Sequence, residues 1–142
     1  MAKMTTSECR EFLAAKLHTA KLATVRPDGR PHLVPVWFDL DGEDIVFTTG
    51  AESVKAENLR NDPRVCICVD DEAPPFAYAQ IEGSVEISTD QEDIKNWARR
   101  LAGRYMGEDQ AEAYGKRNSG PGTLVVRVKP VKITGVKNVA GW

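Results

Sequence analysis

Histidine and cysteine are scarce in this chain of 142 residues, which has two of the first, His18 and His32, and three of the second, Cys9, Cys66 and Cys68. So small a ligand supply argues against a structural metal, which usually takes about four ligands. An odd cysteine count without framework spacing excludes a disulfide scaffold and leaves free thiols. Long apolar runs are missing as well. The apolar stretches are strand-sized, far short of the ~20 residues of a spanning helix. Met1-Ala2-Lys3-Met4-Thr5-Thr6 has no apolar core of a secretory leader, so the expected location is the cytoplasm. Neither sign of charge dominates: 19 Lys and Arg stand against 21 Asp and Glu, a net charge of −2. That balance excludes a protein that coats nucleic acid through a basic surface. The nucleophile elbow, the zinc-protease helix and the phosphate-loop signature are all absent. Neither histidine has an obvious nucleophile nearby, and His18 suits the end of a helix, where a cation favours the dipole. A chain without side-chain catalysts can still be an enzyme if a bound cofactor carries the chemistry.

What is present is an ordinary globular mixture, 42% hydrophobic and 28% charged. It suffices for one domain, 1–142, with a real core. Thr5-x-x-Glu8 is a capping box, and Cys9, Phe12, Leu13 and Leu17 follow at helical spacing. Strands are expected at 21–26, 33–40 and 44–49, with turns at Pro27-Asp28-Gly29 and Asp41-Gly42. A short helix, 53–61, stops before Pro63. Then come a strand at 64–69 with Val65, Ile67 and Val69 on one face, an acidic loop at 70–75, and a long strand at 76–88. Gly83 marks a bulge in that strand. Thr89-x-x-Glu92 opens a longer helix with Ile94, Trp97, Ala98, Leu101 and Tyr105 on one stripe. Two β segments, 123–128 and 131–136, end the chain, with Lys129-Pro130 as the bend between them. Strands outnumber helices by roughly two to one, which points to a mainly β, α+β fold, an antiparallel barrel with helices packed outside.

The best local signal for chemistry is Thr48-Thr49-Gly50-Ala51-Glu52-Ser53-Val54-Lys55. A strand ends in hydroxyls, a glycine turn follows, and a helix opens with Ser53 and Lys55 in its first turn. Free amides, hydroxyls and an ammonium there make a site for a phosphate monoester. Plain capping by Ser53, with Lys55 in solvent, accounts for the same residues.

The run from Ala23 to Phe38, with Arg26-Pro27-Asp28-Gly29-Arg30-Pro31-His32, resembles the first hairpin of the pyridoxamine 5′-phosphate oxidase-like split β-barrel family. Ile45 to Gly50 and Ser53 to Pro63 are similar to its phosphate strand and helix. Tyr78 to Gly83, Arg104-Tyr105 and Lys129-Pro130 fit later positions in the same order. The nearest branch is that of small enzymes that use the deazaflavin coenzyme F420 in place of FMN.

The resemblance implies an antiparallel split β-barrel that forms a homodimer with two cofactor sites between the subunits. On matching positions, Thr48 with its neighbour Thr49, Ser53 and Lys55 hold the cofactor phosphate. Arg60 helps there or with the acidic tail of F420. Val34, Pro35, Val36 and Trp37 run beside the ring system, and Tyr78 and Gln80 face the cofactor. Lys21, Arg26, Arg30, Lys55, Arg60 and Arg64 form a basic strip able to receive the tail carboxylates; a solvated face is the alternative. Trp142 packs over a partner subunit or the cofactor, or closes the barrel. The segment Val136 to Trp142 lacks the arginine and histidine with which pyridoxamine phosphate oxidases proper clasp their substrate, so vitamin B6 oxidation is not expected. The implied activity is hydride transfer from reduced F420 to a conjugated small molecule such as an enone, a quinone or a biliverdin-like tetrapyrrole. The alternatives are an FMN-dependent oxidoreductase on the same scaffold and a non-catalytic cofactor-binding protein.

Overall fold

The computed structural model describes residues 1–15 and 17–141. Its elements run β1 Ala2–Lys3, α1 Thr6–Ala15, β2 Ala20–Val25, β3 Pro31–Val36, β4 Asp39–Asp41, β5 Asp44–Gly50 and α2 Val54–Asn61. They continue as β6 Arg64–Asp71, β7 Ala77–Ser88, α3 Gln91–Met106, a 3-10 turn Glu108–Gln110, α4 Ala111–Arg117 and β8 Thr123–Lys137. The sheet has the order β3-β2-β6-β7-β8-β5-β4, with β1 added to β8, and every pairing is antiparallel. β3 and β4 adjoin in sequence yet end the sheet without pairing, so the barrel is split there.

Strand alternation fills the barrel: Leu22, Ile45, Phe47, Ile67, Ile81 and Val126 are fully buried in one cluster. Side chains one residue along point outward, as the period of two requires. α1 plugs one side, and its Cys9 and Leu13 join the same cluster. Its approach needs Gly135, where a Cβ would lie 2.6 Å from Met4 Cε and 2.7 Å from Cys9 Sγ. α3 covers the outside of β5 and β8. There Val46 and Val125 pack on Ile94 and Trp97 in a second cluster.

The expected bulge is at Gly83, where the β7–β8 register shifts. A Cβ at Gly83 would come 2.4 Å from the Lys129 carbonyl oxygen, so the two backbones meet closely here. The first capping box is also formed: Thr5 N–H donates to Glu8 Oε1 and Glu8 N–H to Thr5 Oγ1, each at 3.1 Å.

Several boundaries differ from expectation. Leu17, expected on the stripe of α1, is not helical and is 56% exposed. α3 is capped by Asp90, whose carboxylate accepts from Asp93 N–H at 3.1 Å, one residue past Thr89. The returning strand breaks at Trp37-Phe38 into β3 and β4, because the chain turns the barrel corner there. β8 is one strand through Lys129-Pro130, since the extra residue Val131 bulges out, 81% exposed, and lets pairing resume. α4 and β1 were not anticipated. α4 has no apolar stripe to betray it, only Ala111 and Gly115 buried.

Candidate functional site

A cavity of about 600 Å³ opens where β3 ends, β5 ends and α2 begins. Pro35, Val36 and Trp37 form one wall, Thr48, Thr49 and Gly50 a second, and Lys55 enters from α2. Met106, Tyr114, Arg117, Asn118 and Thr123 complete the lining from α3, α4 and the start of β8.

The turn between β5 and α2 is tightly specified. Ser53 caps α2 with its hydroxyl, which accepts from Ala56 N–H at 3.1 Å and shares a hydrogen bond with the Thr49 hydroxyl, also 3.1 Å. Arg60 donates to the Ala51 carbonyl at 2.8 Å and braces the turn from behind. Lys55 is half-buried, and among the described residues no carboxylate pairs with it. Burial pushes its ammonium below the usual lysine range. The His32 imidazole lies near the same charge. Burial first, then Arg26 and Lys55, hold its pKa below the ordinary value, and its buried Nδ1 has no hydrogen-bond partner among the described residues.

The apolar wall is held from behind. Trp37 stacks on Tyr105 with centroids 5.0 Å apart and planes at 3°. The Tyr105 hydroxyl donates to the His18 carbonyl at 2.7 Å and accepts from Phe38 N–H at 3.2 Å. One phenol thus closes the corner and fixes the indole that faces the cavity.

Of the expected site residues, Pro35, Val36, Trp37, Thr48, Thr49 and Lys55 come together in the cavity. Val34, Ser53 and Arg60 do not line it. Val34 lies on β3 with its side chain half-buried, Ser53 is the cap, and Arg60 is the brace. Tyr78 and Gln80 stand on the outer face of β7 and do not reach the cavity of their own chain; the Gln80 amide lies 3.4 Å from Cys66 Sγ. Half of the basic strip is neutralised in place: Lys21 pairs with Asp70 at 2.8 Å, Arg30 with Asp28 at 2.7 Å and Arg64 with Asp62 at 2.8 Å. The Arg64 side chain and N–H hold the Asp62 carboxyl down at about 2. Trp142 lies outside the described residues. Sequence reasoning missed Met106, Tyr114, Arg117, Asn118 and Thr123: Tyr114, Arg117 and Asn118 come from the unanticipated α4 and its end, and Met106 and Thr123 from the ends of α3 and β8, which only the fold brings to the cavity. The cluster Lys116-Arg117-Asn118 was the one available hint.

Among the described residues no group of three or more His, Cys, Asp or Glu is placed to hold a metal ion. Among them, too, no helix is long and apolar enough to cross a membrane.

A model of the family described as pyridoxamine 5′-phosphate oxidase matches residues 5–137. The chain belongs to that family. General stress protein 26 of Bacillus subtilis (strain 168) is 30% identical to this member over 115 residues, 79% of this chain and 74% of that protein. A crystal structure of a conserved hypothetical protein from Mycobacterium tuberculosis is similar with a TM-score of 0.80 and 29% identity, over 92% of this chain and 82% of the other. A structure named F420 reductase is similar with a TM-score of 0.70 and 30% identity, over 87% of this chain and 94% of that one. The split-barrel architecture is thus a family property, and the cavity sits where this member's own hydroxyls and Lys55 gather.

Proposed function

We propose that the chain is an oxidoreductase that uses the deazaflavin coenzyme F420 to reduce a conjugated small molecule of the enone, quinone or tetrapyrrole kind. The observation that carries this reading is Lys55, a half-buried cation without a carboxylate partner among the described residues, set beside threonine hydroxyls in an open cavity. A buried charge without a partner is costly, and an incoming phosphate would relieve that cost. Likeness to a structure named F420 reductase over most of both chains adds support for the deazaflavin.

When bound, the coenzyme would supply a hydride donor at the central carbon of its ring system. The residues of this chain would do the rest. Lys55 and Thr48 hold the phosphate, with the α2 amides behind them. The Pro35–Trp37 wall keeps water off the ring, and Tyr105 holds Trp37 in its plane. Among the described residues the cavity lining has no histidine and no carboxylic acid, so catalysis rests on positioning and exclusion of water.

We further propose a cytoplasmic homodimer. Leu33, 65% exposed, Tyr78 and Gln80 lie on the outer sheet face. A second copy covering that face would bring its own Tyr78 and Gln80 toward the cavity. Absorbance titration of the purified protein tests the cofactor reading, because F420 and FMN absorb at different wavelengths. Saturable binding of F420, tighter than that of FMN, is expected. Tighter FMN binding at every salt concentration would move the protein to the flavin class, and binding without turnover of any acceptor would make it a cofactor carrier.

A further inference from the structure

α4 is short and polar, yet it is firmly placed. Gly115 lies so close to α3 that a Cβ there would come 2.9 Å from the Arg99 Cα, and Ala111 is fully buried. Arg99 pairs with Glu112 across the same contact. This docking delivers Tyr114, Arg117 and Asn118 to the cavity that already contains Lys55. The Arg117 guanidinium lies 5.8 Å from the Tyr114 ring centroid. Among the described residues it has no carboxylate partner, unlike Arg30, Arg64 and Arg99. Among the described residues the cavity lining contains two cations and no Asp or Glu, in a chain whose net charge is −2. The cavity thus offers a ligand two positive groups from different elements, α2 and α4, and a ligand with negative charge at both ends matches both.

We infer that Arg117, flanked by Asn118, is a second anion-reading group, separate from the turn around Lys55. The ligand of this cavity then carries two anionic groups: a phosphate at Lys55 and a carboxylate at Arg117. The planar guanidinium fork matches a carboxylate in two hydrogen bonds, and the Tyr114 ring limits the conformations of the fork. This inference rests on the deazaflavin reading, since F420 continues past its phosphate into carboxylates and FMN does not. It also replaces the basic strip on the first hairpin, α2 and the start of β6, half of which is paired, as the receiver of those carboxylates.

The test is a fluorescence titration of the full chain with F420 and with FMN, for the wild type, Lys55→Ala, Arg117→Ala and Arg117→Lys. Lys55→Ala should weaken both ligands. Arg117→Ala should weaken F420 by about tenfold or more, the range for a charge-assisted hydrogen bond, and FMN by less than about twofold. Arg117→Lys should fall between, since an ammonium keeps the charge but loses the fork. The selective loss should shrink at high salt, because Arg117 is exposed. An equal loss for both ligands, or no loss for either, overturns the inference while the deazaflavin reading stands. A wild type that binds neither ligand overturns that reading and the inference with it.

Discussion

Lys55 makes pH a probe of the site. Its folded pKa is lowered by burial, so the unfolded chain keeps the proton to higher pH than the folded one. Between those two values the unfolded state binds more protons, and stability rises with pH; below them the desolvation cost is constant. A bound anion favours the charged form, so ligand affinity should fall as pH rises through the lowered pKa. Titrations across alkaline pH should show that fall in the wild type and lose it in Lys55→Arg, whose charge persists. Lys55→Ala should weaken cofactor binding by roughly 1.5–3 kcal/mol at neutral pH. Asp62 offers a contrasting case. Its carboxyl, held at about 2 by Arg64, contributes stability that is present above the unfolded value and lost as pH falls through about 2. Carboxyl NMR should find its midpoint there, and Arg64→Ala should return it toward the ordinary value of about 3.9. The placement of Lys55 beside the end of β5 was legible from Thr48-Thr49-Gly50 and Ser53-Val54-Lys55, because strand end, turn and cap are local. The brace at Arg60 was not, since a hydrogen bond to the Ala51 carbonyl leaves no sequence pattern.

Among the elements, α3 carries the clearest energetic weight. Trp97 is 2% exposed, between the Arg100 guanidinium at 4.1 Å and that of Arg127 at 5.8 Å from its ring centroid. Trp97→Ala should cost about 3–5 kcal/mol, read as a lower melting temperature and denaturation midpoint. Cofactor affinity in the fraction that remains folded should be unaltered, since Trp97 does not line the cavity. This helix was legible because Ile94, Trp97, Ala98 and Leu101 repeat at its own period, and all four are buried. α4 hid because its contact with α3 is made by a glycine, and an absent side chain gives no periodic signal. The break between β3 and β4 hid for a different reason. Trp37 and Phe38 read as strand residues, and what turns the chain is a phenol from 67 residues further along.

For the whole molecule, assembly has a direct measurement. Light scattering at micromolar concentration should give twice the chain mass of 15.7 kDa. A face bearing Leu33 and Tyr78 is apolar enough to associate and polar enough, through Gln80, to remain soluble between encounters. Charge substitution at Leu33, to Glu, should give a monomer with its melting temperature little changed. The fold as a whole was legible because glycine turns and alternating strands are local signals. The cavity was only half legible, since its walls come from segments near residues 36, 50 and 117 that meet through the barrel alone.

A split barrel has two free edges, and such edges ordinarily invite another strand to add on. Here one edge is β4, only three residues long. The other is β3, where Pro31 and Pro35 flank Leu33 at every second position. Proline has no N–H, and residues of that parity direct theirs away from β2. The outer rim of β3 therefore keeps a single donor, at Leu33. The rims of the sheet thus offer little means for chains to zip edge to edge, which guards a sheet of this size against fibrous polymerisation.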